Sequence, residues 1–278
     1  MIKIGCNFLS LKGPNRDVDQ FIKMSYDLRL DIIDWHTSAF PTKNTDDWLK
    51  IKRRCLDWGL SIGYLGIGGS FMRPNEPPSK QVERCKAGID MAAFLGCPMI
   101  RTFGAPKDVN AKDGNDAIFE GLAKGLREAA DCGADKGVMV ALQNHNHGNI
   151  ASTGKDVIRI LETTNHANVT LIMDTGQWAG SIGDEGHPDL YDPNTPVYDY
   201  MEQTIPYSGY IRAKFYKCAS GHEEHIDYKR VAKILKKANF NGSVSIVYEG
   251  QEETDRAIIV KNAANELREV LRAEKVGL

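Results

Sequence analysis

The 278-residue sequence predicts an α/β protein, a closed parallel (β/α)8 barrel, and two observations predict it. Eight short aliphatic or β-branched runs alternate with amphipathic helical stretches, the count at which parallel strands close on themselves. Several runs are apolar almost throughout, such as Val138-Met139-Val140-Ala141-Leu142 and Val169-Thr170-Leu171-Ile172-Met173. That texture belongs to strands covered by helices, not to a half-exposed sheet. No linker, repeat or low-complexity segment divides the chain, so residues 1–278 are expected to form a single domain.

In order, strands are expected at 2–8, 31–36, 60–66, 98–103, 138–145, 169–174, 209–216 and 243–249. Helical spacing fills the gaps. Phe119, Leu122, Leu126 and Ala130 share one face after the fourth strand, and Val231, Ile234, Leu235 and Ala238 share one after the seventh. Thr153 with Asp156 is an N-terminal cap for a helix beginning near Val157. Gly133, Gly137 and Asn241-Gly242 fall where helices should stop and strands begin. Three longer loops, Gly66 to Pro78, Ala105 to Gly114 and Gly176 to Pro196, follow strands at the end where barrels build their pockets.

Composition narrows the partners. A net charge of -2 with no basic block argues against nucleic acid or an anionic membrane surface. The apolar runs are strand-sized and too short to cross a bilayer. The first strand begins at once and leaves no room for a signal peptide, and the six cysteines show no CxxC pair, so a cytoplasmic protein with reduced thiols is expected. The sequence offers no exposed apolar stripe to define a homo-oligomer, although such barrels can pair through outer helices.

Alternation places the candidate site. Gln143, His145 and, if the strand persists, His147 share one face of the fifth strand; Arg212, Lys214 and Tyr216 share one face of the seventh; Val247 and Glu249 share one of the eighth. Asp174 ends the sixth strand, with Gln177 a turn beyond. A histidine at a strand end can simply cap a carbonyl, and an aspartate before Thr-Gly can be a turn residue. Two histidines in Gln-Asn-His-Asn-His-Gly, and a lysine facing a barrel interior, are harder to explain structurally, because a buried charge is costly unless paired. Trp35, His36 and Arg101, at the ends of the second and fourth strands, join the mouth as candidates for stacking on or bonding a ligand, as does Asn144. Glu252-Glu253, Lys236-Lys237, His166 and His187 read as ordinary surface and loop residues.

The segments Ala141-Leu142-Gln143-Asn144-His145, Met173-Asp174-Thr175-Gly176-Gln177, Arg212-Ala213-Lys214 and Phe240 to Glu249 together resemble the sugar phosphate isomerase/epimerase family, the xylose isomerase-like TIM barrels. The resemblance implies a (β/α)8 TIM barrel acting on a carbohydrate. It further implies one divalent ion, of the manganese or magnesium type, held by Glu, Asp, His and Glu from strands five to eight. No nucleotide cofactor is expected. In this chain those four positions align with Gln143, Asp174, Arg212 and Val247, so only the aspartate is retained. Two arrangements follow. Either an ion remains, moved one layer outward onto His145, Asp174 and Glu249, with Gln143, Asp174 and Glu249 the candidate metal residues at the strand ends, or no ion binds and Arg212 with Lys214 stabilises an enolate. In both, His145 is the candidate base, Lys214 the partner of the oxyanion, and Glu249 a further catalytic group. Asn144, Gln177, His36, His147, Arg101 and Arg212 would contact substrate. The acidic segment after the eighth strand argues against a phosphate and for a neutral sugar, cyclitol or glycoside. The expected reaction is proton abstraction beside a carbonyl, leading to isomerisation, epimerisation or β-elimination. A metal-dependent isomerase with rearranged ligands, a non-catalytic sugar-binding subunit and, least of all, a DNA-repair endonuclease are the alternatives.

Overall fold

A computed structural model describes residues 2–11, 17–40, 44–108, 110, 115–182 and 191–277. The strands are β1 (Lys3–Asn7), β2 (Ile32–His36), β3 (Ser61–Gly66), β4 (Met99–Phe103), β5 (Met139–Gln143), β6 (Val169–Asp174), β7 (Ser208–Phe215) and β8 (Ser243–Tyr248). Each pairs in parallel with the next, and β8 pairs with β1 to close the barrel. Closure removes every sheet edge, so all backbone groups of the strands find partners.

The helices are α1 (Val18–Asp27), α2 (Thr45–Asp57), α3 (Ser79–Leu95), α4 (Asp116–Ala134), α5 (Gly154–Thr164), α6 (Val197–Thr204), α7 (Tyr228–Lys237) and α8 (Arg256–Ala273). Their starts follow capping chemistry. Asp17 accepts from the amides of Asp19 and Gln20, Asp227 from those of Lys229 and Arg230, and Asp255 from that of Ala257. Thr153 accepts from the Asp156 amide at 3.2 Å as expected, but α5 begins at Gly154, directly after its cap. Val231, Ile234 and Leu235 are buried on α7, whereas Ala238 lies past the helix end and is exposed. Gly133 falls inside the last turn of α4, packed on the Val138 carbonyl, and Gly137, at positive φ, makes the actual stop. The loops after β4 and β6, and His187, lie partly outside the described residues.

Side chains of one parity point inward. The lower barrel is filled by Ile32, Tyr64, Met99, Ala141, Ile172 and Tyr210, while the opposite parity packs under the helices as the main core. Between Ile33 and Trp35 the β2–β3 register shifts by one residue. A Cβ on Gly63 would fall on the Asp34 carboxylate and the Tyr210 hydroxyl, so this strand turns both Gly63 and its neighbour Tyr64 toward the interior. Among the described residues no helix is long and apolar enough to cross a membrane.

Candidate active site

Asp174 ends β6 at the centre of the mouth and is fully buried. Its Oδ2 lies 3.0 Å from Arg212 Nε, 3.2 Å from Gln143 Nε2 and 3.4 Å from Lys214 Nζ. Its Oδ1 accepts from the Gly176 amide at 3.0 Å. The Lys214 ammonium reaches on to Glu249 Oε2 at 2.7 Å, the same oxygen that Gln177 Nε2 approaches at 3.4 Å. Residues from β5, β6, β7 and the end of β8, distant in sequence, thus form one bonded ring. Lys214 is 1% exposed, and two carboxylates make its burial tolerable.

The charges act on one another. Burial opposes ionisation of Glu249, but Lys214 and Arg212 outweigh it and hold the carboxyl down at about 2. Burial likewise opposes the charge of Arg212, yet Tyr64, Asp174 and Glu249 push its pKa up. His145 is pulled down to about 3, first by burial, then by His147 and Lys214. Its imidazole is neutral at ordinary pH, because a proton there would add to a site already rich in cations.

Arg101, from β4, completes that surplus. Its guanidinium lies 4.4 Å over the Phe103 ring, and the Phe103 ring meets that of His145 at 4.8 Å. The His145 ring meets His147 at 4.9 Å. Arg101 is 2% exposed, and its Nε and Nη1 have no hydrogen-bond partner. Burial, and then repulsion from Arg212, lower it to about 10. Gly66 beside it has no side chain; a Cβ there would crowd Arg101 Nη2 and the His36 ring. His36 is half-buried, and its Nδ1 accepts from the Ser38 amide at 3.1 Å.

Beneath the mouth lies a polar layer that the sequence reading missed. Tyr64 Oη accepts from Arg212 Nη1 at 2.5 Å and from Asn7 Nδ2 at 2.9 Å. The Tyr64 amide donates to Asp34 Oδ1 at 3.3 Å, and Tyr210 Oη donates to the same oxygen at 2.6 Å. Ser245 Oγ bonds the other oxygen. Burial raises Asp34 to about 7 against the pull of Ser245, Tyr210 and Arg212. Alternation carried the signal: Asp34 has the parity of His36, and Tyr210 that of Arg212.

Several expectations need correction. Trp35 has the outward parity and is fully buried against Phe8 at 5.3 Å, Phe21 at 5.3 Å and Phe40 at 5.9 Å, so it packs barrel on helix and meets no ligand. Asn144 also faces away from the mouth. Its Nδ2 donates to the carbonyls of Asp174 at 2.9 Å and Gln177 at 3.1 Å, and its Oδ1 accepts from the Asp174 amide at 2.7 Å. It locks the ends of β5 and β6 together and is fully buried, with no surface turned to the mouth. The fifth strand stops at Gln143 and does not persist to His147; the chain turns back so that the His145 amide donates to the Ala151 carbonyl. Arg212 sits below the mouth, committed to Asp174 and Tyr64.

The residues do not fit a divalent ion. Among the described residues no three His, Cys, Asp or Glu side chains come together as a ligand set, so the outward trio of His145, Asp174 and Glu249 does not form one. In the set of Gln143, Asp174 and Glu249, the Gln143 amide turns its nitrogen, not its oxygen, to Asp174. The donor chemistry gives the reason. The oxygens that would hold a cation are already faced by a guanidinium, an ammonium and two amide nitrogens, and an ion there would have to displace the ammonium beside a second fixed positive charge.

The profile of a family described as xylose isomerase-like TIM barrel matches residues 30–273. No curated protein matches the chain. Among solved structures, an L-ribulose 3-epimerase superposes with a TM-score of 0.77 at 16% identity, covering 99% of this chain and 96% of that one. The D-psicose 3-epimerase of Clostridium cellulolyticum H10, solved with D-tagatose, gives 0.73 at 16% identity over 97% and 99% of the two chains. A 3-keto-D-glucoside 4-epimerase from E. coli gives 0.70 at 14% identity over 99% of each. At these identities the likeness is one of fold.

Proposed function

This chain belongs to the xylose isomerase-like TIM barrel family, and we propose that it is an enzyme abstracting a proton beside the carbonyl of a sugar-like substrate. The observation that carries the reading is Lys214, buried at the mouth between Asp174 and Glu249 with the neutral imidazole of His145 nearby. An ammonium has three donors, and two carboxylates take two of them. The third is available to a carbonyl oxygen, where negative charge collects as the C–H bond breaks.

In this reading His145 takes the proton, and the C–H electron pair moves to the carbonyl oxygen beside Lys214. The neutral state of His145 keeps its lone pair available. The step leaves the net charge unchanged and sets the enolate against the new imidazolium and the Lys214 ammonium, which stabilise it together. Asp174 and Glu249 hold Lys214 in place, and Arg212 fixes Asp174. Protonation of the enolate by water on the opposite face gives an epimer, return of the proton to the neighbouring carbon with a shift of the hydroxyl proton to the former carbonyl oxygen gives an isomer, and expulsion of a β-substituent gives elimination. The neighbouring folds are epimerases of ketoses and of a keto-glucoside, which supports this reaction class for the present chain.

The test is deuterium exchange. The parent protein, incubated in D2O with a panel of keto-sugars, keto-glycosides and their oxidised acids, is expected to place solvent deuterium on carbon. His145→Ala should bind the same compound and exchange nothing. If no compound exchanges, or His145→Ala exchanges as fast as the parent, the catalytic reading fails, and sugar binding without chemistry replaces it.

A further inference from the structure

Resting on that reading of the mouth as a sugar site, we propose that the substrate is a polyhydroxylated acid whose carboxylate is bound by Arg101.

The argument is one of unmet hydrogen bonds. A guanidinium carries five donors and no acceptor, and burying it without a partner is costly. Arg101 is buried with its Nε and Nη1 unpartnered. It lies over Phe103, in the row that leads through His145 to His147 at the barrel mouth. Gly66, next to it, withholds a side chain that would crowd its head. Asp174 and Glu249, which act on it from a distance, are bonded to Arg212 and Lys214. Three cationic heads therefore share two carboxylates, and Arg101 is the one left over. A carboxylate matches the planar fork of a guanidinium and would balance the charge.

Two glutamines add acceptors. Gln143 Oε1 and Gln177 Oε1 are buried without partners. Their orientation is set by chemistry: each amide nitrogen faces a carboxylate, of Asp174 and of Glu249, where an amide oxygen would be repelled. Two acceptor oxygens on the residues that bond Asp174 and Glu249, together with one unpaired cation, call for hydroxyl donors on a molecule that also carries a negative charge. A sugar acid has both, whereas the neutral sugar expected from the acidic segment after β8 has hydroxyls alone. Glu252 in that segment is turned away, accepting from the amides of Cys218 and Ala219, so it does not repel an acid at the mouth.

Titration calorimetry of the intact protein with hexuronates and aldonates, each paired with its neutral hexose or alditol, reads this out. At least one acid is expected to bind about tenfold or more tighter than its neutral partner. Arg101→Met should erase that margin, and Arg101→Lys should keep part of it. The proposal is overturned if no acid outbinds its neutral partner, or if the margin survives in Arg101→Met; the parent comparison holds even if a variant fails to fold. Failure here is separable from failure of the catalytic reading. Neutral keto-sugars that exchange deuterium while acids bind no better would sink Arg101 alone. Acids held through Arg101 with no exchange would sink the carbon-acid chemistry alone.

Discussion

Lys214 shows how one residue can be both costly and useful. Its ammonium is bonded to two carboxylates, and replacing it by Met would leave Glu249 without its main cation. Lys214→Met is expected to slow deuterium exchange by about 10²-fold or more, the usual loss for one removed oxyanion donor, with a smaller change in ligand affinity. Single-turnover exchange measured beside calorimetry checks this. The pH profile gives a second test. With His145 at about 3 and Glu249 at about 2 in the free protein, kcat/KM should show no acid limb from either group between pH 5 and 7.5. An inflection near 6.5 in the parent, matched by a His145 imidazole that titrates there by NMR, would mean the imidazole sits in an ordinary environment. At this scale the sequence was readable where a residue's parity is enough, as for Asp174, Lys214 and Arg101. It misled for Asn144, whose amide serves the backbone of the next strand, a commitment no single-strand pattern reveals.

Strands were legible to within a residue or two, because closure of a covered sheet leaves a continuous apolar run, while the helices were legible as apolar stripes without sharp ends, α5 starting at Gly154 and not near Val157. The register shift between β2 and β3 was not, since it arises from crowding of Asp34, Tyr64 and Tyr210 across three strands. Among the helices, α5 carries the loop that follows the β5 histidines, so its cap holds that loop in place. Thr153→Ala should cost about 1 kcal/mol of stability in denaturant unfolding. If the loss is negligible, water satisfies the Asp156 amide as well as the threonine does.

For the molecule as a whole, the buried acids set the pH dependence of folding. Asp34 and Glu223 have folded pKa values raised to about 7 from 3.8 and 4.5, so the folded state binds more protons between those limits. Their contribution is complete below the lower values and is lost as pH rises through 7. His145, lowered from 6.5 to about 3, works oppositely, adding stability as pH rises through that interval. Above pH 6.5 the histidine effect is spent, so unfolding free energy should decline toward pH 8. Asp34→Asn should flatten part of that decline, and denaturant titrations at pH 6.5 and 8 measure it. Cancellation among these groups is a property of the assembled barrel, and for that reason neither composition nor net charge foretold it.

Tyr64 occupies the seam between the two polar layers, taking a proton bond from Arg212 above and presenting its amide to Asp34 below. Its phenol and its own backbone amide thereby join the guanidinium under the entrance to the deepest acid of the barrel. Arg212 in turn favours the charged form of Asp34, so the cation beneath the rim and the carboxyl at the bottom of the bore are electrostatic neighbours.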